Sequence, residues 1–151
     1  MILDAININI LNALQINARQ TSTAIAKHVG ISSPAVTERI KKMEDEGIIE
    51  DYKAMLSPLK IGYQFKAIIT LRAFMGKLKP FMEKVKTYNE VINCYRVTGN
   101  ENIVMEVVLR DQKHLETLID ELITYGETKT QIVLSQIIHQ RPIRPVIAIQ
   151  K

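Results

Sequence analysis

The sequence predicts an α+β fold in two parts: helices over residues 1–50, a β hinge over 51–63, and a βαββαβ domain over 64–151. Three observations predict it. Apolar residues recur at steps of three and four as far as Gly47, the spacing of helices that bury one stripe. From about residue 48 the stretches become β-branched and largely alternating, the period of half-buried strands. Two further helical patterns then interrupt the alternating ones. With 151 residues, 46% hydrophobic and 24% charged, the chain has the composition of one ordinary domain or two small ones, which excludes disorder and collagen.

Leu3, Ile6, Ile10 and Leu14 form the stripe of a first helix, with Asp4 placed to cap it. A second begins near Ser22, carries Ile25, Ala26 and Val29 on one face and stops at Gly30. A third follows Ser32, an apt N-cap, with Pro34 in the first turn where its missing N–H costs nothing. It sets Val36, Ile40 and Met43 on one face before Gly47 ends it. The segments IIEDYKAML, FKAIITLRAF, VINCYRVT, NIVMEVVLR and TKTQIVLSQII read as strands. Between them lie Leu78, Phe81, Val85 and Tyr88, with Pro80 near the start, and then Leu115, Leu118, Ile119 and Leu122 behind Asp111. Residues 64–140 therefore spell strand, helix, strand, strand, helix, strand, the ferredoxin-like order. Ser57-Pro58 and Gly62 mark the joint.

In such a fold the helices cover one face of the sheet. Ala67, Ile69, Leu71 and Ala73 share one side of their strand, as do Ile103, Met105, Val107 and Leu109. Ile68, Val104, Val108, Val133 and Ile137 are then left on the other side without a helix, and self-association through this face is expected.

The net charge is +4, but residues 1–63 are balanced, with seven basic and seven acidic side chains. Within residues 27–42 Lys27, Arg39, Lys41 and Lys42 face only Glu38, and five acids follow between Glu44 and Asp51. This is a short basic surface beside an acidic one. After Glu127 the chain has Lys129, Arg141, Arg144 and Lys151 and no acid. No apolar run approaches the roughly 20 residues of a membrane span, and MILDAININI has no basic stretch ahead of its apolar residues, so a cytoplasmic chain is expected. The single cysteine, Cys94, excludes a disulfide framework, and its alternating surroundings suggest a buried, inert thiol.

Catalytic patterns are missing. His28, His114 and His139 are dispersed, no phosphate-cradling or nucleophile-elbow glycine motif occurs, and neither enzyme activity, metal nor cofactor is expected. The informative stretch is TSTAIAKHVGISSPAVTERIKKMEDEGII. Ala26 lets two helices approach, Gly30 can take the left-handed conformation of a tight turn, and Val36 plugs the shared core, which together are the marks of a helix-turn-helix. Ser32, Ser33, Pro34, Thr37, Arg39, Lys41 and Lys42 are the expected DNA-binding residues, at the start of a helix that can enter a major groove. The alternative is a three-helix core whose charges are merely solvated.

These residues resemble the Lrp/AsnC (leucine-responsive, feast/famine) family of transcription regulators. The match runs through Leu3-Asp4, Ile10-Leu11, Arg19, Ser22, Ile25-Ala26, Val29-Gly30-Ile31-Ser32, Val36, Arg39, Met43-Glu44, Gly47-Ile48-Ile49, Tyr52, Ser57-Pro58 and Gly62. It continues in Cys94-Tyr95-Arg96-Val97-Thr98-Gly99 and in the run from Thr128 to Ser135. The resemblance implies an N-terminal helix-turn-helix (winged-helix-like) domain on double-stranded DNA, a β hinge, and a ferredoxin-like domain that dimerises through its sheet, often to octamers. It also implies an amino-acid effector between dimers, held by Gly99, Asn100, Glu101, Asn102, Thr128 and Thr130. The family usually has an Asp where this chain has Asn102, which removes a formal charge that Glu101 could replace; a plain β-turn is the alternative. An amino-acid-binding regulatory subunit of metabolism and a low-specificity architectural DNA binder remain open as other readings.

Overall fold

The computed structural model describes residues 3–146; Lys151 of the expected basic tail lies outside them. The chain forms two compact units, one comprising residues up to Ala54 together with those from Ile138 onward, the other Met55–Ile137.

The helical unit holds α1 (Ala5–Ile16), α2 (Ser22–Val29) and α3 (Ser33–Asp45). Local chemistry sets each start. Asp4 accepts from the Asn7 N–H at 2.7 Å, Thr21 from Ala24 at 3.1 Å, and Ser32 from Ala35 at 3.3 Å. Each bond satisfies an amide that the first helical turn leaves without a partner. Ile10, Ile25, Val36 and Met43 are wholly buried, and Leu11, Ala13, Leu14 and Ala26 complete a core without an aromatic ring. Gly30 ends α2 at φ +76°, and a Cβ there would meet nothing within 4 Å, so the backbone conformation rather than space demands glycine.

The sheet unit places β1 (Phe65–Ala73), β2 (Val91–Arg96), β3 (Ile103–Leu109) and β4 (Gly126–Ile132) in the antiparallel order β2-β3-β1-β4, with α4 (Leu78–Lys84) and α5 (Gln112–Leu122) between strands. This is the expected ferredoxin-like arrangement. Ile69 pairs with Met105 and with Thr130, and Leu71 with Ile103 and Thr128. Ala67, Ile69, Leu71, Ile103, Met105, Val107 and Leu109 bury their side chains against Phe81, Val85, Leu118 and Leu122. Phe81 meets Tyr125 edge-on at 5.7 Å.

Several expectations change. The hinge over 51–63 contains no strand: residues 50–57 have no regular structure, and Pro58–Ile61 is a 3₁₀ turn. Alternation alone builds no strand without a ladder partner, and within this chain these residues have none among the described strands. Val108 is only 4% exposed and is already part of the chain's own interior, whereas Ile68, Val104 and Val133 are half-buried. Ile137 lies beyond the end of β4 and off the sheet, at 88% exposure. Cys94 is exposed on β2, yet partial desolvation by neighbouring atoms raises its thiol pKa, which disfavours the reactive thiolate. The chain from Ile138 onward, expected with the sheet domain, groups with the helical unit.

Candidate nucleic-acid interface and candidate effector cavity

Between α2 and α3 the outward surface is a row of hydroxyls. Thr37 donates to the Ser33 carbonyl at 3.1 Å and shares a hydroxyl–hydroxyl bond of 3.0 Å with Ser22, and Thr23 and Ser33 share a bond of 3.3 Å. The row therefore sits at two helix N-termini, where unpaired amides and aligned peptide dipoles make the surface receptive to anions. Ser32 is exposed but commits its hydroxyl to capping, and Pro34, Thr37, Lys41 and Lys42 are exposed. Lys42 pairs with Glu38 one turn back at 3.1 Å.

Arg39 stands apart from this surface. Its guanidinium donates to Asp4 at 2.7 Å and to the Asn7 amide oxygen at 2.8 Å. Asn7 is 3% exposed, so Arg39, with its side chain 32% exposed, serves the packing of α3 on α1 instead of pointing freely outward as expected. The Asn7 backbone N–H, followed by Arg39, holds the Asp4 carboxyl below its ordinary range. At the other end of α3, Tyr52 donates to Glu44 at 2.9 Å; burial first, and then this carboxylate, pushes the phenol up to about 12.

In the sheet unit a cavity of about 230 Å³ is lined by Thr70, Arg72, Asn100, Glu101, Glu127, Thr128 and Lys129. The register creates it. Arg72 opposes Glu127 and Thr70 opposes Lys129, so these side chains share the face away from the helices. Arg72 bonds Glu127 at 2.6 Å, and Lys129 bonds Glu101 at 3.2 Å. A bond to its own backbone amide, and then Lys129, keeps the Glu101 carboxyl low and ionised at neutral pH. Two cations and two carboxylates thus alternate around one opening. Gly126 tightens the strands here, because a Cβ on it would lie 2.3 Å from the Arg72 carbonyl oxygen.

Of the expected effector residues, Asn100, Glu101 and Thr128 line the cavity, and Gly99, Asn102 and Thr130 do not. Asn102 turns its amide oxygen to the Ala73 N–H at 3.1 Å, which fastens the start of β3 to the end of β1. Thr130 pairs with Ile69 and Thr128 with Leu71, so both fall on the helix-covered face, and Thr128 borders the cavity only from its place between Glu127 and Lys129. Thr70, Arg72, Glu127 and Lys129 were missed. The signal was their two-residue spacing on two strands, which becomes a site only once the register joins those strands.

Comparison with known proteins matches residues 3–50 to a winged helix-turn-helix DNA-binding model and residues 66–143 to the Lrp/AsnC ligand binding domain. The HTH-type transcriptional regulator YezC of Bacillus subtilis (strain 168) is 32% identical over 133 residues, covering 88% of this chain and 94% of that one. The structure of E. coli AsnC superposes with a TM-score of 0.85 at 30% identity, over 96% of this chain and 100% of its own. The transcriptional regulator NMB0573 of Neisseria meningitidis, solved as an L-Met complex, superposes with a TM-score of 0.88 at 25% identity, over 93% and 96%.

Proposed function

This chain belongs to the Lrp/AsnC family of helix-turn-helix transcription regulators, and from that premise we propose that the hydroxyl row of α2 and α3 is its duplex-reading surface. The observation that carries this reading is the juxtaposition of two capped helix N-termini, joined by the Thr37–Ser22 bond and flanked by exposed Pro34, Lys41 and Lys42. Ser33 and Thr37 reach base edges, and Lys41 and Lys42 hold phosphates. Binding to the natural promoter, compared with random duplex at fixed salt, tests it. Thr37→Ala should lower the specificity ratio, and Lys41→Ala should weaken both complexes alike. Equal affinity for both duplexes in the wild type would favour an architectural binder.

The cavity takes a zwitterionic amino acid, with Arg72 or Lys129 receiving the α-carboxylate and Glu101 or Glu127 the α-ammonium. Support comes from the alternation of the two ion pairs and from a structural neighbour solved with L-Met. Calorimetry across the amino acids, with Glu101→Ala as the control, tests this reading. Ile68, Val104 and Val133 form the apolar part of a sheet face through which two copies pair. Such a dimer presents two reading helices to half-sites about 34–36 Å apart, or a multiple of that.

A further inference from the structure

The chain after β4 carries a short repeat, Arg141-Pro142-Ile143-Arg144-Pro145, that neither the hydroxyl row nor the cavity uses. In the helical unit, the Gln15 side chain near the end of α1 donates to the Ile143 carbonyl at 2.9 Å and accepts from the Ile143 N–H at 2.8 Å. A primary amide offers the donor and acceptor of a peptide group, so one side chain satisfies both backbone groups of one residue. Ile143 is held through its main chain: its side chain is 79% exposed, and Arg141 and Arg144 on either side of it are exposed. Each proline disfavours helical backbone at the arginine before it, which keeps the segment extended. In an extended threefold repeat, residues three apart share an edge, and the arginines have that spacing. No acid occurs between Ile138 and Pro145 to neutralise them.

Gln15 precedes Thr21, the cap of α2, by six residues, which span roughly 20 Å at most. The clasp therefore lies within one helical turn of duplex, about 34–36 Å, of the hydroxyl row. We propose that the tail is a second, sequence-independent DNA contact, an arm clasped by Gln15 whose Arg141 and Arg144 engage backbone phosphates beside the site read by α3. This rests on the duplex-reading role given above. The guanidinium suits the task because its fork matches phosphate oxygens two at a time.

The test measures binding of the full chain to the natural promoter and to random duplex from about 50 to 200 mM salt. The Arg141→Ala, Arg144→Ala double variant should lose the same fold in affinity on both duplexes. Its log–log salt slope should be shallower by roughly 0.9 for each phosphate contact removed. Gln15→Ala, which changes no charge, should also weaken both complexes. Wild-type affinity and slope in the double variant, while Thr37→Ala still weakens the promoter complex, would overturn the arm and leave the reading surface standing. A change of oligomeric mass without a change of slope would assign the tail to a subunit contact and equally overturn it. Failure of the wild type to bind either duplex would remove both readings together.

Discussion

The guanidinium of Arg39 donates to the Asp4 carboxylate at 2.7 Å across 35 residues of sequence, and this pair ties the middle of α3 to the cap of α1. Arg39→Ala takes a charged partner from Asp4 and a donor from buried Asn7, and should destabilise the helical unit by about 1–2 kcal/mol. Most of that comes from Asn7, since the ion pair is half-exposed and worth about 0.2–1 kcal/mol in a double-mutant cycle with Asp4→Ala. Denaturation followed at 222 nm checks it. Unchanged stability with weakened promoter binding would return Arg39 to the DNA side.

Acid should loosen the same joint. The Asp4 carboxyl titrates below its ordinary 3.8, chiefly through the Asn7 backbone N–H and then Arg39. A lowered folded value means that the stabilisation is complete above pH 3.8 and fades as pH falls through the depressed value. The wild-type helical unit should therefore lose stability on acidification below that point. Asp4→Asn, measured by the same denaturation series, should show a flatter dependence.

Ile68 and Val108 should respond differently to the same charge. Ile68 is half-buried on the open face, so Ile68→Asp should leave the protomer folded and shift sedimentation from dimer to monomer. Val108 is 4% exposed, and Val108→Asp would bury an unpaired carboxylate inside the protomer itself. That variant should unfold the sheet unit, visible as a lost thermal transition. Two folded monomers would contradict the assignment of Val108 to the interior.

In the cavity, Arg72→Ala should lower amino-acid affinity by about tenfold, the loss expected for one charge-assisted bond. Asn102→Asp should change affinity by no more than about twofold, because its side-chain oxygen remains an acceptor for the Ala73 N–H, as the bond's net worth of about 1 kcal/mol is retained. Asn102→Leu should cost that bond and show as a lower melting temperature. A large affinity gain for Asn102→Asp would place this side chain in the site after all.

What the sequence made legible was local. Asp4, Ser32 and Asp111 cap helices because each side chain reaches an amide only three residues on; α2 begins at Ser22 as expected, with Thr21 as its cap, whereas α4 follows Lys77 with no side-chain cap bond. Strict alternation likewise revealed the buried faces of β1 and β3. Contacts between distant residues were not legible. Arg39 lies off the apolar stripe of α3, and nothing near it in sequence points to Asp4. Arg72 and Glu127 are 55 residues apart and meet only through the β1–β4 register. The hinge failed for the opposite reason: its alternating pattern was correct as a pattern but had no neighbouring strand to pair with.

The core of the helical unit is aliphatic side chains and Met43, and one consequence is optical. The chain has no tryptophan, and its five tyrosines and three phenylalanines begin at Tyr52. Melting of α1, α2 and α3 is therefore almost dark in tyrosine emission and near-ultraviolet dichroism, while far-ultraviolet dichroism records it strongly. Tyr52, held by Glu44, is the one ring that could report from that side. The sheet unit can thus be watched through its tyrosines and the helical unit as the far-ultraviolet change that the tyrosines do not share, so a duplex or an amino acid can be traced to the unit it stabilises.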